Sequence, residues 1–330
     1  MRHIGLFLAI FFIYACESNI EKKSNTDNKE IVTVKPSQDS LKKNDSTITL
    51  KDEKQTYVQA YNKSLTLWKV PFEEKEVKTN FGNAHVIICG PLNAEPLVLL
   101  HGMNASSTMW YPNIKDLSGK YRVYAIDFFM EPGKSEFLGK VDQTNQIVNW
   151  YYEIFDQLNL KKINLIGASR GGWLAINIAL RSKSRINKIA LLSPAQTFFW
   201  IKPGPKIISN ITYSISPKRK RLRSVMETMS FDIDKINEIY INQYYLATKK
   251  ATFHKCFLQM TPFSDKQLES LNMPILVLIG DKDIINNDKS LEKARKYIPN
   301  IKTDKIKNAG HFLSFDQPEI VDQKLLEFLK

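Results

Sequence analysis

Three short stretches of this 330-residue chain carry side chains suited to nucleophilic catalysis. The first is Gly167-Ala168-Ser169-Arg170-Gly171-Gly172, which follows the apolar run Ile163–Ile166 and leads into a helical stretch from Trp173 to Leu180. This is G-x-S-x-G between a strand and a helix. Small neighbours tolerate a strained serine there, and its hydroxyl stands above the strand at the positive end of the helix. The second stretch, Gly280-Asp281-Lys282-Asp283, closes the run Pro274–Ile279. The third, Asn308-Ala309-Gly310-His311-Phe312, precedes a C-terminal helical segment ending near Leu329. A serine nucleophile, a histidine base and a carboxylate that holds the imidazole in the right tautomer are the parts required for acyl transfer. Ser169 and His311 fill two of these roles, and Asp281 and Asp283 both compete for the third.

A fourth stretch, Leu99-Leu100-His101-Gly102-Met103, ends an earlier strand in a sharp turn. That turn is expected to aim the backbone N–H of Met103 at an acyl oxygen, beside the N–H of Arg170. Each such donor contributes about a hundredfold to a thousandfold in rate. His101 is expected to brace the turn, because the acid–base histidine of this arrangement follows the nucleophile in the chain.

These residues need a scaffold that brings distant loops to one edge. Leu97–Leu100, Val123–Ile126, Ile163–Ile166, Ile189–Leu192 and Ile275–Ile279 are apolar runs of strand length, separated by helix-length segments such as Gln143–Leu158. Continuous apolar strands alternating with helices predict a parallel sheet covered on both faces, with ligands at the carboxyl ends of the strands. Ahead of them, a short helix over Tyr57–Trp68 and two strands, Glu74–Thr79 and Ala84–Cys89, joined by an Asn80-Phe81-Gly82-Asn83 turn, are expected. About eighty residues separate Ser193 from Pro274, far more than one crossover helix needs. The excess, about 195–272, is expected to form a helical cap. Within it, Phe198-Phe199-Trp200 is expected to bring apolar surface near Ser169, Tyr240, Tyr244 and Tyr245 to pack the cap, and Lys218–Arg223 to form a solvated helix face.

From about Phe72 to Lys330 these motifs, in this order, resemble the α/β-hydrolase superfamily and specifically its capped bacterial carboxylesterase-like members. The resemblance implies an α/β fold with an inserted helical cap and a Ser–Asp–His chain order, unlike the orders of the chymotrypsin and subtilisin classes. It places the acid on Asp283 rather than Asp281, with Asp288 a distant third. It also aligns Asp127–Ser135 with the family's D-x-x-G-x-G-x-S loop, which makes Asp127 structural. Two departures stand out: Met130 and Glu131 replace the glycine region of that loop, and Arg170 replaces the usual Met, Gln or Leu after the nucleophile. The implied activity is hydrolysis of carboxylic esters or related small acyl substrates through an acyl-enzyme. The same triad could serve an amide, peptide, lactone or carbon–carbon bond, and a non-catalytic binding lipoprotein is the alternative outside enzymology. Dehalogenase and epoxide hydrolase chemistry would need a carboxylate where Ser169 stands.

The remaining features concern location and partners. Arg2, the apolar run Ile4–Tyr14 and Ala15 before Cys16 have the layout of a secretory signal, too short to span a bilayer, which takes about 20 apolar residues. Ile13-Tyr14-Ala15-Cys16 resembles the bacterial lipobox, so cleavage before Cys16 and its lipidation would make an exported, membrane-anchored lipoprotein. Residues 16–55, rich in Lys, Asn, Ser, Asp and Thr, are expected to be a flexible tether, and 56–330 the hydrolase domain. The formal charge of +13 is spread among acidic and amide residues, which argues against a nucleic-acid partner and for a solvated surface drawn to anionic polymers or lipid. No His, Asp or Cys cluster has metal-ligand spacing, so no metal or organic cofactor is expected. Cys89 and Cys256 are expected to be buried thiols, with a disulfide after export as the alternative.

Overall fold

The computed structural model describes residues 56–251 and 259–330. The expected leader over residues 1–15, the tether 16–55 with Cys16, and Cys256 lie outside the described residues.

Eight strands form one sheet: β1 (Phe72–Thr79), β2 (Gly82–Cys89), β3 (Pro96–Leu100), β4 (Arg122–Ile126), β5 (Ile163–Ala168), β6 (Ile186–Leu192), β7 (Ile275–Gly280) and β8 (Ile301–Ile306), in the order β1-β2-β4-β3-β5-β6-β7-β8. β1 and β2 form a hairpin, and β2 runs antiparallel to β4. Every pairing from β4 to β8 is parallel.

The helices are α1 (56–65), α2 (Ile114–Ser118), α3 (Thr144–Gln157), α4 (Arg170–Arg181), α5 (Pro205–Ile215), α6 (Arg219–Met229), α7 (Glu238–Lys250), α8 (Asp265–Glu269), α9 (Asp288–Tyr297), α10 (Leu313–Asp316) and α11 (Pro318–Leu329). Four of them, α5 to α8, lie between β6 and β7, in the long segment expected to hold the cap.

The apolar runs become central strands because alternate side chains enter two separate cores. On β3, Val98 and Leu100 join the core beneath α3 and α4, while Leu97 and Leu99 join the opposite core with α1, α2 and α11. All four are fully buried, so the strand has no polar face to show. The expected strands appear, each within a few residues of its predicted limits. β8 does not figure among the expected strands: in IKTDKI three of six residues are charged, and Lys302 and Lys305 are exposed, because it is the sheet edge.

Buried polar groups tie the N-terminal helix and the insertion to the sheet. Thr108 Oγ1 donates to Gln243 Oε1 (2.8 Å), Gln243 Nε2 donates to Ser106 Oγ (3.0 Å), and Tyr57 OH donates to the Pro132 carbonyl (2.7 Å). Each is a buried group with a partner, which avoids the ~1–3 kcal/mol cost of an orphaned one. Lys54–Lys330 forms one compact unit containing the whole sheet.

Asp322 on α11 is a buried carboxylate that accepts a hydrogen bond from Asn113 Nδ2 (2.8 Å). Burial pushes its pKa up to about 7, and the charges of Asp116 and Glu319 add to this against the Asn113 hydrogen bond. Between the ordinary carboxyl value of about 4 and this one, the folded state holds a proton that the unfolded chain has released, so this group lowers stability as pH rises through that window. Asp322→Asn should therefore raise Tm by a few degrees at pH 8 and change it little near pH 4. Thermal unfolding across pH 4–8 checks this, and an equal shift at every pH would reject the linkage.

Candidate active site

The Ser169 backbone sits at φ 52°, ψ −115°, a region that side-chain-bearing residues avoid. The turn closes only because its neighbours are glycine. A Cβ on Gly167 would lie 2.3 Å from the Gly171 carbonyl oxygen, and one on Gly171 would lie 2.1 Å from that of Leu100. The strand end is pinned by Ser169 N–H donating to Leu192 O (2.8 Å) and Ala195 N–H donating to Ser169 O (3.1 Å). Ser169 consequently occupies the N-cap of α4 at the end of β5, with its side chain above the sheet.

Three of the predicted residues meet there. Ser169 Oγ lies 2.9 Å from His311 Nε2, and His311 Nδ1 lies 3.0 Å from Asp283 Oδ1. Asp283 also accepts from Ile285 N–H (2.8 Å) and Asn286 Nδ2 (3.0 Å), and both Asp283 and His311 have almost no exposed side chain. Burial alone would push the Asp283 carboxyl up. The His311 charge and hydrogen bond, with those from Ile285 and Asn286, outweigh it and hold Asp283 below its ordinary value. An ionised Asp283 can only accept, so Nδ1 carries the imidazole proton and Nε2 is left to accept from the serine hydroxyl.

Asp281 takes a different part: its carboxylate accepts from Ala309 N–H (3.2 Å) at the base of the histidine loop. Asp288 begins α9 and pairs with Lys305.

Met103 lies in the turn after β3, which runs against the nucleophile: a Cβ on Gly102 would sit 3.4 Å from the Ser169 Cβ. His101 holds this turn. Phe128 N–H donates to its Nε2 (2.8 Å), so Nδ1 carries the proton and donates to Gly102 O (2.9 Å). Burial keeps the His101 pKa below its ordinary value. Asp127, fully buried, accepts from Ser107 N–H (2.8 Å), Lys134 N–H (2.8 Å) and His85 Nδ1 (3.1 Å), which ties its loop together away from the triad.

The two departures from the family loop pattern meet each other. Arg170 Nη2 and Glu131 Oε1 form an ion pair with side chains 2% and 3% exposed. Glu131 Oε2 also accepts from Asn104 N–H (2.7 Å), next to Met103, and the guanidinium lies over the Phe128 ring at 5.4 Å. One carboxylate thus braces both predicted oxyanion donors, Met103 through its chain neighbour and Arg170 through its own side chain.

Sequence reading missed three further residues. Asp316 receives Gly310 N–H (2.8 Å) beside His311, and also Ser230 Oγ (2.5 Å), Phe231 N–H and Asp232 N–H from the end of α6. Tyr244 hydrogen-bonds the Asn104 side chain and contacts the Phe312 ring; burial pushes its hydroxyl up to about 12. Asn286 supports Asp283. Polar residues in loops carry no period, and only their contacts single these out. Phe198, expected near the serine, is instead buried in the scaffold core, while Phe199 lies over Lys293 and Trp200 is exposed. No group of three or more His, Cys, Asp or Glu among the described residues is arranged to hold a metal.

Residues 95–211 match the family model for the alpha/beta hydrolase fold. Over 289 residues the chain is 36% identical to the "uncharacterized carboxylesterase nap" of Bacillus subtilis, covering 84% of this chain and 94% of that protein. It is 32% identical to carboxylesterase YbfK of the same organism, covering 83% and 93%. The crystal structure of naproxen esterase (carboxylesterase NP) from Bacillus subtilis superposes with a TM-score of 0.78 at 34% identity, covering 83% of this chain and 97% of that one. That of CesB (YbfK) gives 0.76 at 30%, covering 84% and 98%. This chain belongs to the α/β-hydrolase family. The two curated relatives named above are carboxylesterases of Bacillus subtilis.

Glu131→Gln would break the buried ion pair from one side only, which costs about 3–5 kcal/mol, whereas removing both charges costs far less. The double variant Glu131→Gln/Arg170→Gln should therefore unfold at higher urea concentration than Glu131→Gln alone. Additive losses in the double-mutant cycle would show that the pair is not coupled.

Proposed function

We propose that the protein is a serine hydrolase of carboxylic esters, with Ser169 as nucleophile, His311 as general base and acid, and Asp283 as the orienting carboxylate. The observation that carries this reading is the unbroken hydrogen-bonded line from Ser169 Oγ through His311 to Asp283 at a strained turn. His311 Nε2 takes the hydroxyl proton as Oγ adds to the ester carbonyl carbon. The N–H groups of Met103 and Arg170 receive the negative charge on the tetrahedral oxygen. Collapse expels the alcohol, which leaves with the proton from His311, and the acyl group stays on Ser169. Water then repeats the sequence, losing its proton to His311 and releasing the acid. Asp283 stabilises the imidazolium formed in each half. The carboxylesterase names of the relatives support an ester over an amide, lactone or carbon–carbon substrate.

The proposal extends to location: Cys16 is the lipidated N-terminus of the mature protein, held to a cell-envelope membrane with residues 16–55 as tether. The lipobox-like Ile13-Tyr14-Ala15-Cys16 after an apolar run supports this.

Ser169→Ala should keep the fold, lose fluorophosphonate labelling and lose at least about a thousandfold in kcat on p-nitrophenyl esters. Asp283→Asn should cost about ten thousandfold by forcing the wrong His311 tautomer, and Asp281→Asn little. Near-normal turnover by folded Ser169→Ala would overturn the mechanism, and a probe-reactive enzyme silent on every ester would move the substrate to another acyl bond. Palmitate labelling of the full chain should disappear in Cys16→Ser, with release from the membrane fraction; an unlabelled protein with a different mature N-terminus would mean plain secretion.

A further inference from the structure

Helix α5 is amphipathic with its apolar side turned outward. At 100° per residue, Ile207, Ile208, Ile211 and Ile215 fall within an arc of about 100°, and Tyr213 points about 170° from the middle of that arc. Tyr213 is the buried residue of the helix, whereas Ile208 and Ile215 are 52% and 55% exposed. Trp200, 58% exposed, stands ahead of the helix. An apolar stripe ordinarily faces the core; here Ile207 and Ile211 are only half-buried, and Ile208 and Ile215 stand exposed.

Along the chain, the charge on either side of α5 has one sign. No Asp or Glu occurs from Gln157 to Met226, and Phe199–Arg223 holds seven Lys and Arg residues. Some of these are engaged by the protein: Arg219 donates to Asn242 Oδ1, Arg221 to Thr212 Oγ1, and Arg223 pairs with Glu227 and Asp234. Lys202 and Lys206 at one end of α5, and Lys218 and Lys220 just past the other, are exposed and in no ion pair among the described residues.

We infer that the α5 isoleucine arc, with Trp200 and the flanking lysines, is a docking face for an anionic lipid surface. Isoleucines and a tryptophan at the depth of the acyl boundary, with lysines at the level of acidic headgroups, are what such a surface accepts. A nucleic acid would match the lysines and leave the isoleucines exposed to water. A second copy would bring the same positive charge against itself. The inference rests on neither the ester reading nor the Cys16 anchor.

Residues 54–330, the compact unit matching nearly the whole length of the solved relatives, allow a test free of any anchor. Sedimentation with phosphatidylglycerol/phosphatidylcholine vesicles should capture this unit, and pure phosphatidylcholine should capture much less. Ile208→Asn/Ile215→Asn, which leaves every charge in place, should weaken capture at least about tenfold, and Lys218→Gln/Lys220→Gln should weaken it and flatten its salt dependence. Lys75→Gln/Lys78→Gln, on β1, should bind like the parent. All variants are checked by circular dichroism and fluorophosphonate labelling. Capture unchanged by the isoleucine substitutions would overturn the inference in favour of unspecific charge attraction. So would dimers by light scattering that the same substitutions dissociate, or equally tight DNA binding insensitive to them.

Discussion

The site depends on a single backbone constraint, the left-handed conformation of Ser169 at the end of β5. A residue with a side chain costs about 1–3 kcal/mol in such a region, and it stays there only when its surroundings leave no alternative. Those surroundings are specific: the Leu192 carbonyl above, the Ala195 N–H beside it, and approaches to Gly167 and Gly171 too close for any Cβ. The parallel sheet makes the arrangement affordable, since β3, β5, β6 and β7 all end on one edge, and the loops that follow them are forced together.

From this constraint the other contacts follow in order. The serine is held outward, where His311 reaches it from the loop after β8, and that loop is fixed by Asp281 at Ala309 and Asp316 at Gly310. The turn after β3 is fixed by His101, whose tautomer is dictated by the Phe128 N–H, and by Glu131, which grips both Asn104 and Arg170. The line from Ser169 through His311 to Asp283 is thus braced by polar residues outside it.

Much of this was legible in the chain because it is written in local patterns. Buried parallel strands are continuous apolar runs, and the serine turn, the glycine before His311 and the acid after β7 each follow such a run at once. The charged edge strand β8 escaped because an edge needs only one covered face and its Lys-Thr-Asp-Lys centre resembles a loop. Glu131 and Arg170 were visible as separate oddities. Their pairing across 39 positions is a property of the fold, as is the gathering of residues 230–232 around Asp316. Phe198 read as apolar surface near Ser169 because aromatic residues suit both pockets and cores, and only packing tells which.

The Asp316 carboxylate has a mechanical meaning for the insertion. Because it holds Gly310 and residues 230–232 at once, α6 and the histidine loop share a joint in the middle of the insertion, not merely at its chain ends. The insertion therefore cannot swing as one lid about Ser193 and Pro274 without pulling on the loop that carries the base. Anyone grafting a foreign cap onto this scaffold would need to leave residues 230–232 in place.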